Sequence, residues 1–238
     1  MNKFPCTDKG PISIFLNMHI KRNRNDRTIS ISQPVKIDNV LNDSKLSKDD
    51  RKRISTPSKI PALPNVMLTK EMCPTDDEAI NSMKAVPYKS ILGQLLFIAI
   101  TARPDLATAV SACGKFAHNP GRQHYEAILQ ILKYLQGTRL TTLTLGGECS
   151  SFALTAYCDA DWAGDKDARK SRTGYVLMVN KSPIIWSSKL QQSVALSSTE
   201  AEYISTCSGT TAIIWTRHLL EELGFHQSEP STIYQDNK

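Results

Sequence analysis

At 238 residues, 40% hydrophobic and 22% charged, the chain has the make-up of a globular protein long enough for one large domain or two ordinary ones. Its longest apolar run, Ile91 to Ala102, is interrupted by Gly93 and Gln94 and falls short of the roughly 20 residues that span a bilayer. The net charge of +6 and pI near 9.0 suit a polyanionic partner. The excess is uneven: about +5 over residues 1–85, about +3 over 86–150 and about −2 beyond.

Met1 to Pro11 is polar and carries two prolines, so no secretory signal opens the chain. The six cysteines (Cys6, Cys73, Cys113, Cys149, Cys158, Cys207) form no C-x-x-C pair and read as free, mostly buried thiols. The five histidines are unclustered too, so any metal chemistry must use oxygen ligands. From Pro11, "SIFLNMHIKRNRNDRTISISQ" predicts a β-hairpin, with Ile12, Ile14 and Leu16 on one strand, Ile29 and Ile31 on the other, and Arg22 to Arg27 as its turn. "PVKIDNVLND" follows as a short helix entered at Pro34. Residues 47–85 read as a coiled linker, because Pro57, Pro61, Pro64 and Pro74 forbid a long helix.

Residues 86–146 read as helical: two stretches broken at Pro104, then "RQHYEAILQILKYLQGT", whose Tyr125, Ile128, Leu129, Leu132 and Leu135 share one face and which Gly137 ends. From Ser151, "SFALTAYCDADWA", "GYVLMVN" and "SPIIWSSKLQ" predict an antiparallel meander. A long helix from about Thr199 to Leu223 leads to "STIYQD", a fourth strand expected parallel in the same sheet. The third segment, 151–238, is thus an α/β unit with a mixed β-β-β-α-β sheet. Tyr175, Trp186 and Trp215 are expected in the core.

Alternation in the first of these strands puts Leu154, Ala156 and Cys158 on one side and Tyr157, Asp159 and Asp161 on the other. Asp159 is therefore expected near a strand's carboxyl end among apolar neighbours, where a charge is costly unless something binds it. Asp236 holds the corresponding place after Ile233 and Tyr234. If the two strands are neighbours, the aspartates meet, and divalent cations are the usual means of keeping both ionised. A third carboxylate can come from the first turn of the helix, at Glu200 or Glu202. Ser197/Glu200 and Thr199/Glu202 both have capping-box spacing, and only one pair can be the cap.

The motifs "YCDADWAGD", "SSTEAEY" and "IYQDNK" resemble the ribonuclease H domain of copia-type retrotransposon Pol polyproteins. Upstream, "VPYKSILGQLLFIAITARPDLATAV" resembles the connection region of that family, and "FLNMHIKRNRNDRTISISQ" the hairpin near the end of its polymerase palm. The resemblance covers nearly the whole chain. It implies a remnant of reverse transcriptase palm and thumb over 1–46, a linker over 47–85, a helical connection over 86–146 and a C-terminally truncated ribonuclease H-like domain over 151–238. It further implies Asp159, Glu202 and Asp236 as catalytic metal ligands, with Glu200 as the cap and Asp161 as the weaker choice for the first position; Asp165 and Asp167 read as solvated loop residues.

The implied reaction is two-metal hydrolysis of the RNA strand of an RNA/DNA hybrid, with two Mg²⁺ (or Mn²⁺) ions as cofactors. Lys189, Arg169, Lys170 and Arg172 are the candidate phosphate contacts. The implied partners are the hybrid and the rest of the Pol polyprotein, with its palm and integrase and no membrane, in the cytoplasm or nucleus. The polymerase's Y-x-D-D hairpin is missing, and "YQDN" does not replace it. The chain also stops before the family's fourth acidic ligand and its histidine, and Asn17 stands where the family usually has glycine. An inert remnant that at most binds nucleic acid is the alternative reading. A retroviral-type integrase core is disfavoured, since there the glutamate comes last.

Overall fold

The computed structural model describes residues 7, 10–64, 66–147 and 152–236. Two four-stranded sheets flank a helical body. The first sheet has the order β1-β2-β3-β4 and is antiparallel throughout, from β1 (Ile14–Phe15), β2 (Met18–Asn23), β3 (Thr28–Ser32) and β4 (Leu143–Gly146). The expected hairpin is β2 with β3, but its first strand begins later than the isoleucine pattern implied. Ile14 belongs to β1, and Leu16 and Asn17, at φ 49° and 62°, turn the chain between Phe15 and Met18. Two successive positive φ values are what a two-residue hairpin turn of type I′ needs, and asparagine tolerates that conformation better than most residues. Asn17 thus does the work of the expected glycine.

β4 was not anticipated, although "TTLTLGG" alternates Leu143 and Leu145 with threonines. It pairs Leu143 with Ile31 and Leu145 with Ile29, tying the start of the chain to the segment after the helices.

Helices α1 (Pro34–Leu41), α2 (Lys48–Ile54), α3 (Asp77–Lys84), α4 (Tyr88–Thr101), α5 (Ala107–Gly114) and α6 (Arg122–Gly137) make up the body. Their shared core centres on Ile91, Leu95, Ile98, Leu106, Ile128 and Leu132. The coil expected over 47–85 is corrected. α2 is capped by Ser47, whose hydroxyl accepts from the Asp50 amide, and Ile54 and Leu46 are buried in the core. α3 is capped in the same way by Asp76. Prolines kept these helices short without preventing them. Within "ARPD", Arg103 is 2% exposed and is held by Asp105 and Thr138.

The second sheet is mixed, in the order β7-β6-β5-β8: β5 (Leu154–Asp161), β6 (Arg172–Val179), β7 (Ser182–Leu190) and β8 (Thr232–Tyr234). The first three form the expected meander, and β8 runs parallel to β5. One helix, α7 (Ser198–Glu222), packs on β5 and β6. Its buried stripe is Ala201, Glu202, Ser205, Gly209, Ile213, Thr216 and Leu220, mostly small or polar residues. Trp215 lies off that stripe and is exposed, against expectation. Trp186 is half-buried, its indole N–H donating 2.9 Å to the Ala99 carbonyl of α4, and Tyr175 packs against the second core.

The small residues let α7 approach the sheet closely. A Cβ at Gly209 would run into Cys158 Sγ. Alanine for glycine inside a helix ordinarily gains about 1 kcal/mol. Here overpacking, typically about 1–3 kcal/mol, should outweigh that gain. Gly209→Ala is therefore expected to lower stability by about 1 kcal/mol net, read from the urea midpoint. An unchanged or higher midpoint would show that α7 can back away freely.

Cys113 and Cys158 are buried, Cys73 is half-buried and Cys207 exposed, all as free thiols; Cys6 and Cys149 lie outside the described residues. Burial pushes the Cys113 thiol up to about 12, so it stays protonated.

Candidate active site

Three elements bring carboxylates together. Asp159 comes from the carboxyl end of β5, Glu202 from the first turns of α7, and Asp236 from just beyond β8. One oxygen from each lies within 4.8 Å of the others. The parallel pairing of β5 with β8 makes this possible, because it sets Tyr157 beside Tyr234 and sends both chains toward the same edge. Asp159 and Asp236 are exposed, which corrects the expectation that Asp159 sits among apolar neighbours; Glu202 is the buried member, 5% exposed.

Glu202 is held from one side only. Its Oε1 accepts from the Ala160 amide at 3.1 Å, while its Oε2 is buried with no hydrogen-bond partner. Burial pushes its carboxyl above the usual range, opposed by the Ala160 amide and reinforced by the charges of Asp159 and Asp236. Among the described residues, no lysine, arginine or histidine forms an ion pair with any of the three. An all-oxygen donor set with an unsatisfied buried oxygen and no neutralising side chain fits a hard divalent cation such as Mg²⁺.

The cap is resolved as well. Ser197 Oγ accepts from the Glu200 amide at 3.1 Å, and Glu200 Oε2 accepts from the Leu196 amide at 2.6 Å. Glu200 therefore closes the helix end while Glu202, two residues on, turns inward.

Several residues not singled out from the sequence hold this geometry. Ser205, one turn after Glu202, shares its single hydroxyl proton between the carbonyls of Asp159 (2.7 Å) and Gly174 (3.0 Å), pinning α7 to β5 and β6 at the cluster. Arg217 gathers the loop before β8 through the carbonyls of Gln227 and Glu229 and the hydroxyl of Ser231. Thr206 donates 2.8 Å to Gln235, next to Asp236. Ser205 follows Glu202 at helical spacing, which is a readable signal; Arg217 offers none.

Asp161 is not part of the cluster. It lies beside Gly164, where a Cβ would strike its carboxylate, and opposite Arg172. Asp165 and Asp167 are not solvated loop residues. Their side chains are 6% and 8% exposed, and both bind Lys115 at the end of α5; Asp167 also accepts from the Lys70 amide. This clamp fixes the loop after β5 to the helical body. Arg172 is likewise drawn inward, donating 2.8 Å to Ser111, and burial lowers its pKa. Lys189 and Arg169 are exposed, and Lys170 donates 2.6 Å to the Gln192 carbonyl.

No family model and no solved structure matches the chain. Among curated proteins it is 42% identical, over 99% of its own length, to the retrovirus-related Pol polyprotein from transposon TNT 1-94 of Nicotiana tabacum. It is also 43% identical over 63% of its length to the Pol polyproteins from transposons RE1 and RE2 of Arabidopsis thaliana. It spans 17% of the first relative and 10% of each of the others. Aligned almost end to end with one such protein and over its larger part with two more, the chain belongs to the retrovirus-related Pol polyproteins of retrotransposons.

Proposed function

We propose that this part of the polyprotein is a ribonuclease H unit that hydrolyses the RNA strand of an RNA/DNA hybrid. The observation that carries the reading is the convergence of Asp159, Glu202 and Asp236 from three elements, with Glu202 Oε2 buried and unpartnered. The β-β-β-α-β order, with its last strand parallel to its first, supports a ribonuclease H-like fold. Two divalent cations held by these carboxylates would activate a water and stabilise the leaving 3′ oxygen. Asp159 and Asp236, both exposed, face the side from which substrate enters, and Glu202 backs them from within. The Ala160 amide orients Glu202, and Ser205 fixes the Asp159 backbone.

The test is Mg²⁺-dependent cleavage of an end-labelled RNA strand in an RNA/DNA hybrid, with Asp159→Asn alongside. Cleavage by the parent chain that the substitution removes is the expected result. Folded protein that leaves the hybrid intact, or an Asp159→Asn variant that cuts equally well, would overturn the reading.

A further inference from the structure

Next to the carboxylates lies an exposed apolar strip for which the cluster itself has no use. Trp162, three residues beyond Asp159, is 50% exposed, yet its ring is fixed: the indole N–H donates 3.2 Å to the Ala195 carbonyl. The loop that receives it exposes Val194 on one side and Leu196, 87% exposed, on the other. Leu196 is anchored through its amide to Glu200, and Tyr203, 72% exposed, follows Glu202 directly on α7. At the far end of the same loop, Lys170 donates to the Gln192 carbonyl.

These bonds set an order along the loop, Lys170 at Gln192, the immobilised indole of Trp162 at Ala195 and then the exposed Leu196, while the chain puts Trp162 three residues from Asp159 and Tyr203 next to Glu202. Large apolar side chains gathered at a site's rim mark an interaction surface more often than chance exposure. An aromatic ring held rigid in solvent loses little entropy when something stacks on it. A lysine beside it suits a phosphate, and the continuity with the carboxylates selects a polynucleotide whose backbone must pass on to them.

We infer that Trp162 and Lys170 form a docking strip for one strand of the RNA/DNA hybrid, Trp162 stacking on a base or sugar and Lys170 holding a phosphate. This rests on the ribonuclease reading for the identity of the partner, but its test does not depend on cleavage. Fluorescence anisotropy of a fluorescein-labelled RNA/DNA hybrid is followed in EDTA, where no cation-dependent cleavage occurs, over a range of salt concentrations. Trp162→Ala is expected to weaken binding by at least about fivefold with the salt slope unchanged, as loss of a stacking contact does. Trp162→Phe should retain most of the affinity and serves as the folding control. Lys170→Ala is expected to reduce the salt slope by about one.

A Trp162→Ala variant that binds like the parent chain would overturn the strip, whatever the cleavage assay shows. Binding that follows the expected pattern without any cleavage would uphold the strip and sink the ribonuclease reading instead. A parent chain that does not bind the hybrid would overturn both.

Discussion

Arg103→Lys is expected to destabilise the protein by about 3 kcal/mol, although it preserves the charge. Arg103 is the largest fully buried side chain among the described residues. Its Nε and one terminal nitrogen bind the Asp105 carboxylate, at 2.9 and 2.6 Å, and that same nitrogen reaches the Thr138 hydroxyl at 2.8 Å. The other terminal nitrogen donates 3.0 Å to the Thr138 carbonyl, just past the end of α6, and the guanidinium lies against the Tyr134 ring. A planar fork serves the carboxylate and the helix end at once; an ammonium reaches one of them and leaves the other dry. Breaking a buried pair costs about 3–5 kcal/mol, and the partly exposed Asp105 carboxylate together with the one contact lysine keeps holds the loss to the lower end of that range. With a urea m-value of about 1–3 kcal/mol/M, the midpoint should fall by 1 M or more. A shift equivalent to less than about 1 kcal/mol would show that the fork is not what joins α4 to α6.

The same residue shows what the sequence could and could not tell. "ARPD" lies in the stretch that resembles the family's connection region, and its proline marks a helix break, but nothing in four letters says that the arginine reaches Thr138, 35 residues on. Lys115 with Asp165 and Asp167, and Trp186 with Ala99, are likewise contacts between distant segments with no spacing to betray them. What was legible depends on local chemistry and period: the meander, the parallel return through α7 and the proline entry to α1, while the cap of α7 stayed open between two pairs on spacing alone. Even the approach of Asp159 to Asp236 followed from strand alternation and parallel pairing. Trp215 misled because the face of α7 that packs on the sheet is built from small residues, so its largest apolar side chain lies elsewhere. The two short helices in 48–84 were missed because prolines dominate that composition while their capping residues, Ser47 and Asp76, hide among other polar side chains.

Glu200 and Glu202, two residues apart, should respond to substitution in opposite ways. Glu200→Ala removes the acceptor for the exposed Leu196 amide and loosens the helix end, a loss of about 1 kcal/mol in stability. It should leave the response to Mg²⁺ intact, since Glu200 points away from the cluster. Glu202→Gln keeps the side chain's shape and can still accept from the Ala160 amide. It also removes a buried charge that lies beside two like charges, so the metal-free protein should be at least as stable as its parent. The loss appears only with the cation. A ligand at 100 times its dissociation constant stabilises the folded state by about 2.7 kcal/mol, so if the carboxylates bind Mg²⁺ as proposed, the parent chain's Tm should rise with it, and that rise should shrink sharply or vanish in Glu202→Gln. Groups that merely orient metal ligands are worth about 10–100-fold, so a ligand itself should cost at least about 100-fold in cleavage. Thermal melts of both variants with and without Mg²⁺ separate the two roles without relying on activity. If Glu202→Gln kept the full Mg²⁺ shift, the buried oxygen would not be a ligand, and Asp159 and Asp236 would have to hold the cation without α7.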